Sequence, residues 1–147
     1  MAVPASKITP LDVGLLLIRS IVGVVGVFHG SQKIFGAFEG PGMKGFAGFL
    51  ETLNVPMPGV SAWLAALAEF GGGAMLILGI LPRIAAVPFA ITMAVAIITV
   101  HPGAFSAGKN GMEFPLTLGV VALGIAFTGG GRLALFPEHK VFPRKAG

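Results

Sequence analysis

Residues 11–35 read LDVGLLLIRSIVGVVGVFHGSQKIF, and from Val13 to Phe28 the only charged residue is Arg19. A run of this length meets the roughly 20 residues a helix needs to cross about 30 Å of hydrocarbon. Three more such runs follow. Residues 61–81 begin SAWLAALAEFGGG, and 83–101 carry IAAVPFAITMAVAIITV up to a His101-Pro102 stop. Residues 113–128 form the shortest run and end at Gly129-Gly130-Gly131. Pro82 and the triple glycine read as helix stops, and Pro88 and Pro115 as first-turn prolines. The expected fold is all-α and integral to the membrane: a four-transmembrane-helix bundle, with residues 1–147 as one membrane domain.

Composition points the same way. Only 11% of the 147 residues are charged, against roughly 25% in a soluble domain, while 54% are apolar and the mean hydropathy is +0.90. So few charges cannot clothe a small soluble fold, and so much apolar sequence does not stay disordered. The chain has no cysteine, which excludes thiol and Fe–S chemistry. The net charge of +4 comes from scattered basic residues without the aromatic-interleaved patch of a nucleic-acid binder. The opening MAVPASKITP is too short and polar for a cleavable signal, so the first run is expected to stay in the bilayer.

Between the first two spans, KGFAGFLETL places Phe46, Phe49, Leu50 and Leu53 at i, i+3, i+4, i+7. This predicts a short amphipathic helix over about 43–53, lying in the interface or capping the bundle. The side holding both termini and the second-to-third turn carries Lys7, Arg83, Arg132, Lys140, Arg144 and Lys145; the other carries Lys33, Lys44 and Lys109. The positive-inside rule then puts both termini in the cytoplasm and the amphipathic loop outside.

Ionisable groups at membrane depth are costly and mark candidate function. Counting 1.5 Å per residue, Arg19 lies about 12 Å and Glu69 about 18 Å from the cytoplasmic side, close enough to meet as an ion pair that either locks the first two spans together or takes a direct catalytic part. His29 and His101 fall at about 27 Å and Glu113 at about 24 Å, so three spans bring titratable groups to one outer level. Lys33 and Gln32 follow His29 by four and three residues on the same face, and Asn110 precedes the fourth span. Arg19, Gly23, Gly26, Gly30 and Lys33 share one stripe. Close helix packing is the commoner use of such glycines, and a flat ligand the alternative.

Taken in order, F-H-G-S-Q-K-I-F-G (28–36), G-P-G-M (40–43), F-x-x-F-L-E (46–51), A-x-L-A-E-F-x-G-G (65–73), L-P-R (81–83), the His101 stop and N-G-M-E-F-P-L (110–116) resemble the DoxX family. Phe114 departs from the more polar or tyrosine-containing pattern of many relatives. The resemblance implies a small bacterial or archaeal four-helix protein of the cytoplasmic membrane, related to subunits of a thiosulfate:quinone oxidoreductase and associated with membrane redox systems.

Three readings stand beside one another. In the first, a quinone occupies an outer-leaflet pocket: His29, Lys33 or His101 donates to a carbonyl, Glu69 or Glu113 relays protons, and Phe28, Phe35, Phe70 and Phe105 line the slot, with Arg19, Gln32 and Asn110 as further polar contacts. In the second, His29, Glu69, His101 and Glu113 hold a metal, or the two histidines a haem. In the third, the chain is an accessory subunit that docks a soluble or membrane oxidoreductase through the basic tail HKVFPRKAG and the loop around Lys44.

Overall fold

The computed structural model describes residues 7–141, and among them every regular element is helical. Arg144, Lys145 and most of the basic tail lie outside the described residues. The α-helices are α1 (Pro10–Phe35), α2 (Gly42–Thr52), α3 (Pro58–Leu78), α4 (Pro82–Thr99), α5 (Glu113–Thr128) and the short α6 (Glu138–Val141), with one 3-10 turn at Ala107–Lys109 before α5. Three of them, α1, α3 and α4, are long and apolar enough to cross a membrane; α5 is apolar but has 16 residues. At 1.5 Å per residue α5 measures about 24 Å.

Local chemistry sets the ends. Thr9 and Asp12 form a capping box on α1, with Pro10 in its first turn, so the first orphan N–H groups are satisfied by side chains. The same Asp12 carboxylate accepts the Arg132 backbone N–H at 3.0 Å, which ties the start of α1 to the segment after α5. Helix α3 begins at Pro58 and stops at Leu78, with Gly79 left-handed at φ +71°. The span expected over 61–81 is therefore shifted back by three residues, because a proline opens it and a glycine closes it. Pro82 is not a stop but the first residue of α4, and Pro88 lies inside α4 rather than in its first turn. Within a buried bundle, a proline interior to a helix is tolerated where neighbouring helices shield the freed carbonyl.

The bundle pairs α1 with α3 and α4 with α5, and α3 joins the two pairs. Phe89 is fully buried at the centre, with Val22, Leu76, Met93 and Ile125 around it. Outward, Leu17, Ile21, Val24 and Phe28 of α1 stay exposed at roughly one-turn intervals. That apolar outer surface needs a lipid solvent. The α1–α3 contact is backbone to backbone: a Cβ on Gly30 would sit 2.5 Å from the Phe70 nitrogen, and one on Gly73 2.7 Å from the Gly23 carbonyl oxygen. The glycine stripe is thus filled chiefly by α3.

After α5 the chain folds back across the end of α3. Leu135 N–H donates to Leu78 O, Phe136 N–H to Gly79 O, and Leu81 N–H to Phe136 O. This return strap closes the bundle end that also carries the starts of α1 and α4.

Candidate functional site

The antiparallel register of α1 and α3 decides which polar groups meet. Gly23 faces Gly73 and Ile77, Gly26 faces Glu69 and Gly73, and Gly30 faces Phe70. Glu69 thus lies level with the Gly26–Gly30 stretch, and Arg19 is about two to three turns nearer the start of α1, a separation of about 10–16 Å of helix rise. The expected Arg19–Glu69 ion pair does not form. Arg19 is buried and donates instead to the carbonyls of Leu76 (2.6 Å), Ile77 and Leu133 (2.9 Å). Leu76 and Ile77 belong to the last turn of α3, where carbonyls run short of helical donors; Leu76 O keeps one long bond from the Gly79 N–H at 3.3 Å. Arg19 caps that turn from a neighbouring helix and fastens the return strap to it. The depth count failed because it measured both spans from one plane, whereas α3 ends beside Arg19 rather than level with the start of α1, and no count along helices could place the Leu133 carbonyl.

Glu69 pairs with Lys33. Helical side chains lean towards their own N-terminus, so Lys33 reaches back by nearly a turn to the Glu69 level. Its ammonium also lies 5.2 Å from the centroid of the Phe46 ring, so one cation joins α1, α2 and α3. Lys33 taken alone reads as an interfacial lysine in the sequence; in the fold it is half-buried, and Glu69 is buried.

This pair stands on the wall of a half-open cavity of about 850 Å³ enclosed by α1 to α5. The volume falls in the usual range for small-molecule sites, roughly 300–1,000 Å³. The wall is mostly apolar, and its titratable members are His29, Lys33, Glu69 and His101. Phe46, Phe49, Leu50 and Leu53, the helical stripe of the loop, all line it, so α2 turns that face towards the cavity. Phe89 and Phe114 complete the aromatic lining.

Both histidines are held through Nδ1. His29 Nδ1 lies 3.1 Å from the Gln32 Oε1, and the His29 ring meets Phe114 edge-on at 6.0 Å. His101 Nδ1 donates to the Asn110 backbone carbonyl at 2.9 Å. A carbonyl only accepts, so neutral His101 carries its proton on Nδ1 and leaves Nε2 as a base. The same follows for His29 with Gln32 oriented as described.

Other sequence candidates fall elsewhere. Gln32 and Asn110 act by orienting histidines and are not part of the lining. Phe28 stacks on Phe38, and Phe70 meets Phe35 edge-on, so neither they nor Phe35 or Phe105 line the cavity. Glu113 opens α5, half-buried, and is also absent from the lining. Phe46, Phe49, Phe89 and Phe114 take the lining role. The first two were legible as a stripe; Phe89 and Phe114 carry no local signal that separates them from other membrane phenylalanines. Among the described residues no three His, Asp or Glu side chains converge as a metal site.

Several apolar spanning helices with a lipid-facing surface, enclosing an apolar cavity with a few titratable groups, define a multi-pass membrane protein. The DoxX family profile matches residues 14–102, from the first turns of α1 to just past His101, and the chain belongs to that family. It is also 34% identical over 126 residues to a protein of Bacillus subtilis (strain 168) described as "Putative oxidoreductase CatD", covering 86% of this chain and 87% of that one. No solved structure matches the chain.

Proposed function

We propose that the protein is the quinone-binding membrane component of a redox system, and that the cavity beside His29, Lys33, Glu69 and His101 is its quinone site. The observation that carries this reading is the lining: a largely apolar space of about 850 Å³, with titratable groups supplied by α1, α3 and the end of α4. A quinone needs an apolar slot for its ring and tail and a hydrogen-bonding partner at each oxygen. Neutral His29 and His101 leave Nε2 free to accept a proton from a quinol hydroxyl, and in their protonated forms they donate to a quinone carbonyl. The Lys33–Glu69 pair beside them offers a buried acid and base for the second proton. The chain supplies the pocket and the proton path; a soluble or membrane oxidoreductase subunit exchanges the electrons. The description of the Bacillus subtilis relative, "Putative oxidoreductase CatD", agrees with that class of activity. Among the described residues no three His, Asp or Glu side chains group together, which favours the quinone reading over a metal one.

In this reading α5 is a fourth span. Its support is topological: Arg132, just after α5, bonds through its backbone N–H to Asp12 and through its guanidinium to the Lys7 carbonyl. Flanks that meet at one end of the bundle require an even number of crossings. Lys7, Arg83, Arg132 and Lys140 gather at that end, and Lys33 leaves the opposite count because its charge is paired. Positive-inside then places both flanks in the cytoplasm of a bacterial or archaeal cell, with α2 over the outer mouth of the cavity.

The test is a thermal-shift titration of detergent-purified protein with a short-tailed ubiquinone. At a hundredfold excess over Kd, about 2.7 kcal/mol of stabilisation is expected, with most of it absent in His29→Ala. A protein that shows no shift, or an equal shift in His29→Ala, rules the site out.

A further inference from the structure

At the opposite end of the bundle from the α2 helix, a recess of about 390 Å³ opens between the start of α4, the end of α5 and the return strap. Arg83, Arg132 and Lys140 line it, together with Glu138 and the Gly129–Gly131 backbone. All three cations are exposed, and among the described residues none has a carboxylate within ion-pair distance. They rest on neutral carbonyls: Arg83 on Thr128 (3.2 Å), Arg132 on Lys7 (2.7 Å), Lys140 on Leu135 (3.5 Å). The one acid is already engaged, because Glu138 accepts the Arg83 backbone N–H. There it offsets the positive end of the α4 dipole. Three cations therefore share a concave site with the single carboxylate of Glu138, which is bonded to a backbone N–H and pairs with none of them.

The surroundings identify the anion. Ile84 of α4 and Phe127 of α5 are exposed beside the recess, as are Leu135 and Phe136 of the strap. Free phosphate has no use for such a border, whereas a phospholipid lays its acyl chains on it. We propose that this recess binds the phosphodiester headgroup of an anionic phospholipid. Arg83 and Lys140 hold the phosphate at the rim, Arg132 adds charge from the strap, and the acyl chains run along the α4–α5 surface. The site is independent of the cavity at the other end and of what that cavity holds.

Native mass spectrometry of the full chain tests this, with phosphatidylglycerol and phosphatidylcholine of identical acyl chains offered in competition. Preferential retention of phosphatidylglycerol is expected. Its preference should fall about fivefold for each of Arg83→Gln and Lys140→Gln, from roughly 1 kcal/mol per basic residue near a lipid surface, while Lys140→Arg keeps it. If Arg83→Gln does not fold, Lys140→Gln alone reads the effect, since its side chain makes only a long contact to a carbonyl. Equal retention of the two lipids overturns the proposal, as does a preference unchanged in Lys140→Gln. Displacement of phosphatidylglycerol by millimolar inorganic phosphate would reassign the recess to a free anion.

Discussion

Breaking the Lys33–Glu69 pair from either side should not cost the same, and the difference follows from where the two charges lie. The Glu69 side chain is 6% exposed and that of Lys33 17%. Removing one partner of a buried ion pair leaves the other uncompensated, at about 3–5 kcal/mol. Lys33→Met strands the deeper carboxylate and also removes the cation from the Phe46 ring, so the upper part of that range applies. Glu69→Gln strands an ammonium that keeps its contact with Phe46 and some access to water, so about 2 kcal/mol is expected. For a chain of this length 1 kcal/mol corresponds to about 2–4 °C in Tm. Lys33→Met should therefore melt about 10 °C or more below the parent, and Glu69→Gln about 6 °C. The double substitution Lys33→Met with Glu69→Leu places apolar groups in an apolar wall and should recover most of the loss. Thermal unfolding of all four proteins in one detergent completes the cycle. If each single change moves stability by less than 1 kcal/mol and the double is their sum, the pair behaves as an exposed one, and the half-buried cation linking three helices is wrong.

Three further outcomes follow from the bundle. Arg19→Met leaves the Ile77 and Leu133 carbonyls without their donor and Leu76 O with only the longer Gly79 N–H bond, and should cost about 3 kcal/mol or more; Arg19→Lys should recover only part, since one ammonium cannot match a forked guanidinium, and unfolding in detergent measures both. Gly73→Ala sets a methyl 2.7 Å from the Gly23 oxygen and should cost about 1–3 kcal/mol as α1 and α3 part; Gly71→Ala, with nothing within 4 Å of the added carbon, should be neutral or stabilising by up to about 1 kcal/mol in the same melt. Thr9→Ala breaks the capping box and should lower stability by about 1 kcal/mol, detectable as faster amide exchange at the start of α1.

Three of the four expected spans, α1, α3 and α4, were legible in the sequence and contacts were not, for a physical reason. A bilayer acts on each residue separately, through hydrophobicity, so a run such as Val13 to Phe28 declares itself without reference to the rest of the chain. Pairing depends on register, and register depends on where each helix ends. The count set the cytoplasmic ends of the first and second spans at one level, whereas α3 ends beside Arg19, about 13 Å along α1 from Pro10, and that offset is what favoured Arg19 over Lys33 as the partner of Glu69. Even a correct helix end would not have shown what Arg19 does. Its third acceptor, Leu133, lies on an irregular strap whose place is set by backbone bonds to Leu78, Gly79 and Leu81. The candidate site divides along the same line. His29, Glu69 and His101 stood out as rare ionisable groups in an apolar chain and do line one cavity, while the phenylalanines that line it share their chemistry with those facing lipid. Where lipid and ligand are both apolar, side-chain type cannot separate a lining residue from a lipid-facing one. The α2 helix is the exception, because its stripe has a polar opposite face for contrast, and that contrast is what made Phe46 and Phe49 readable.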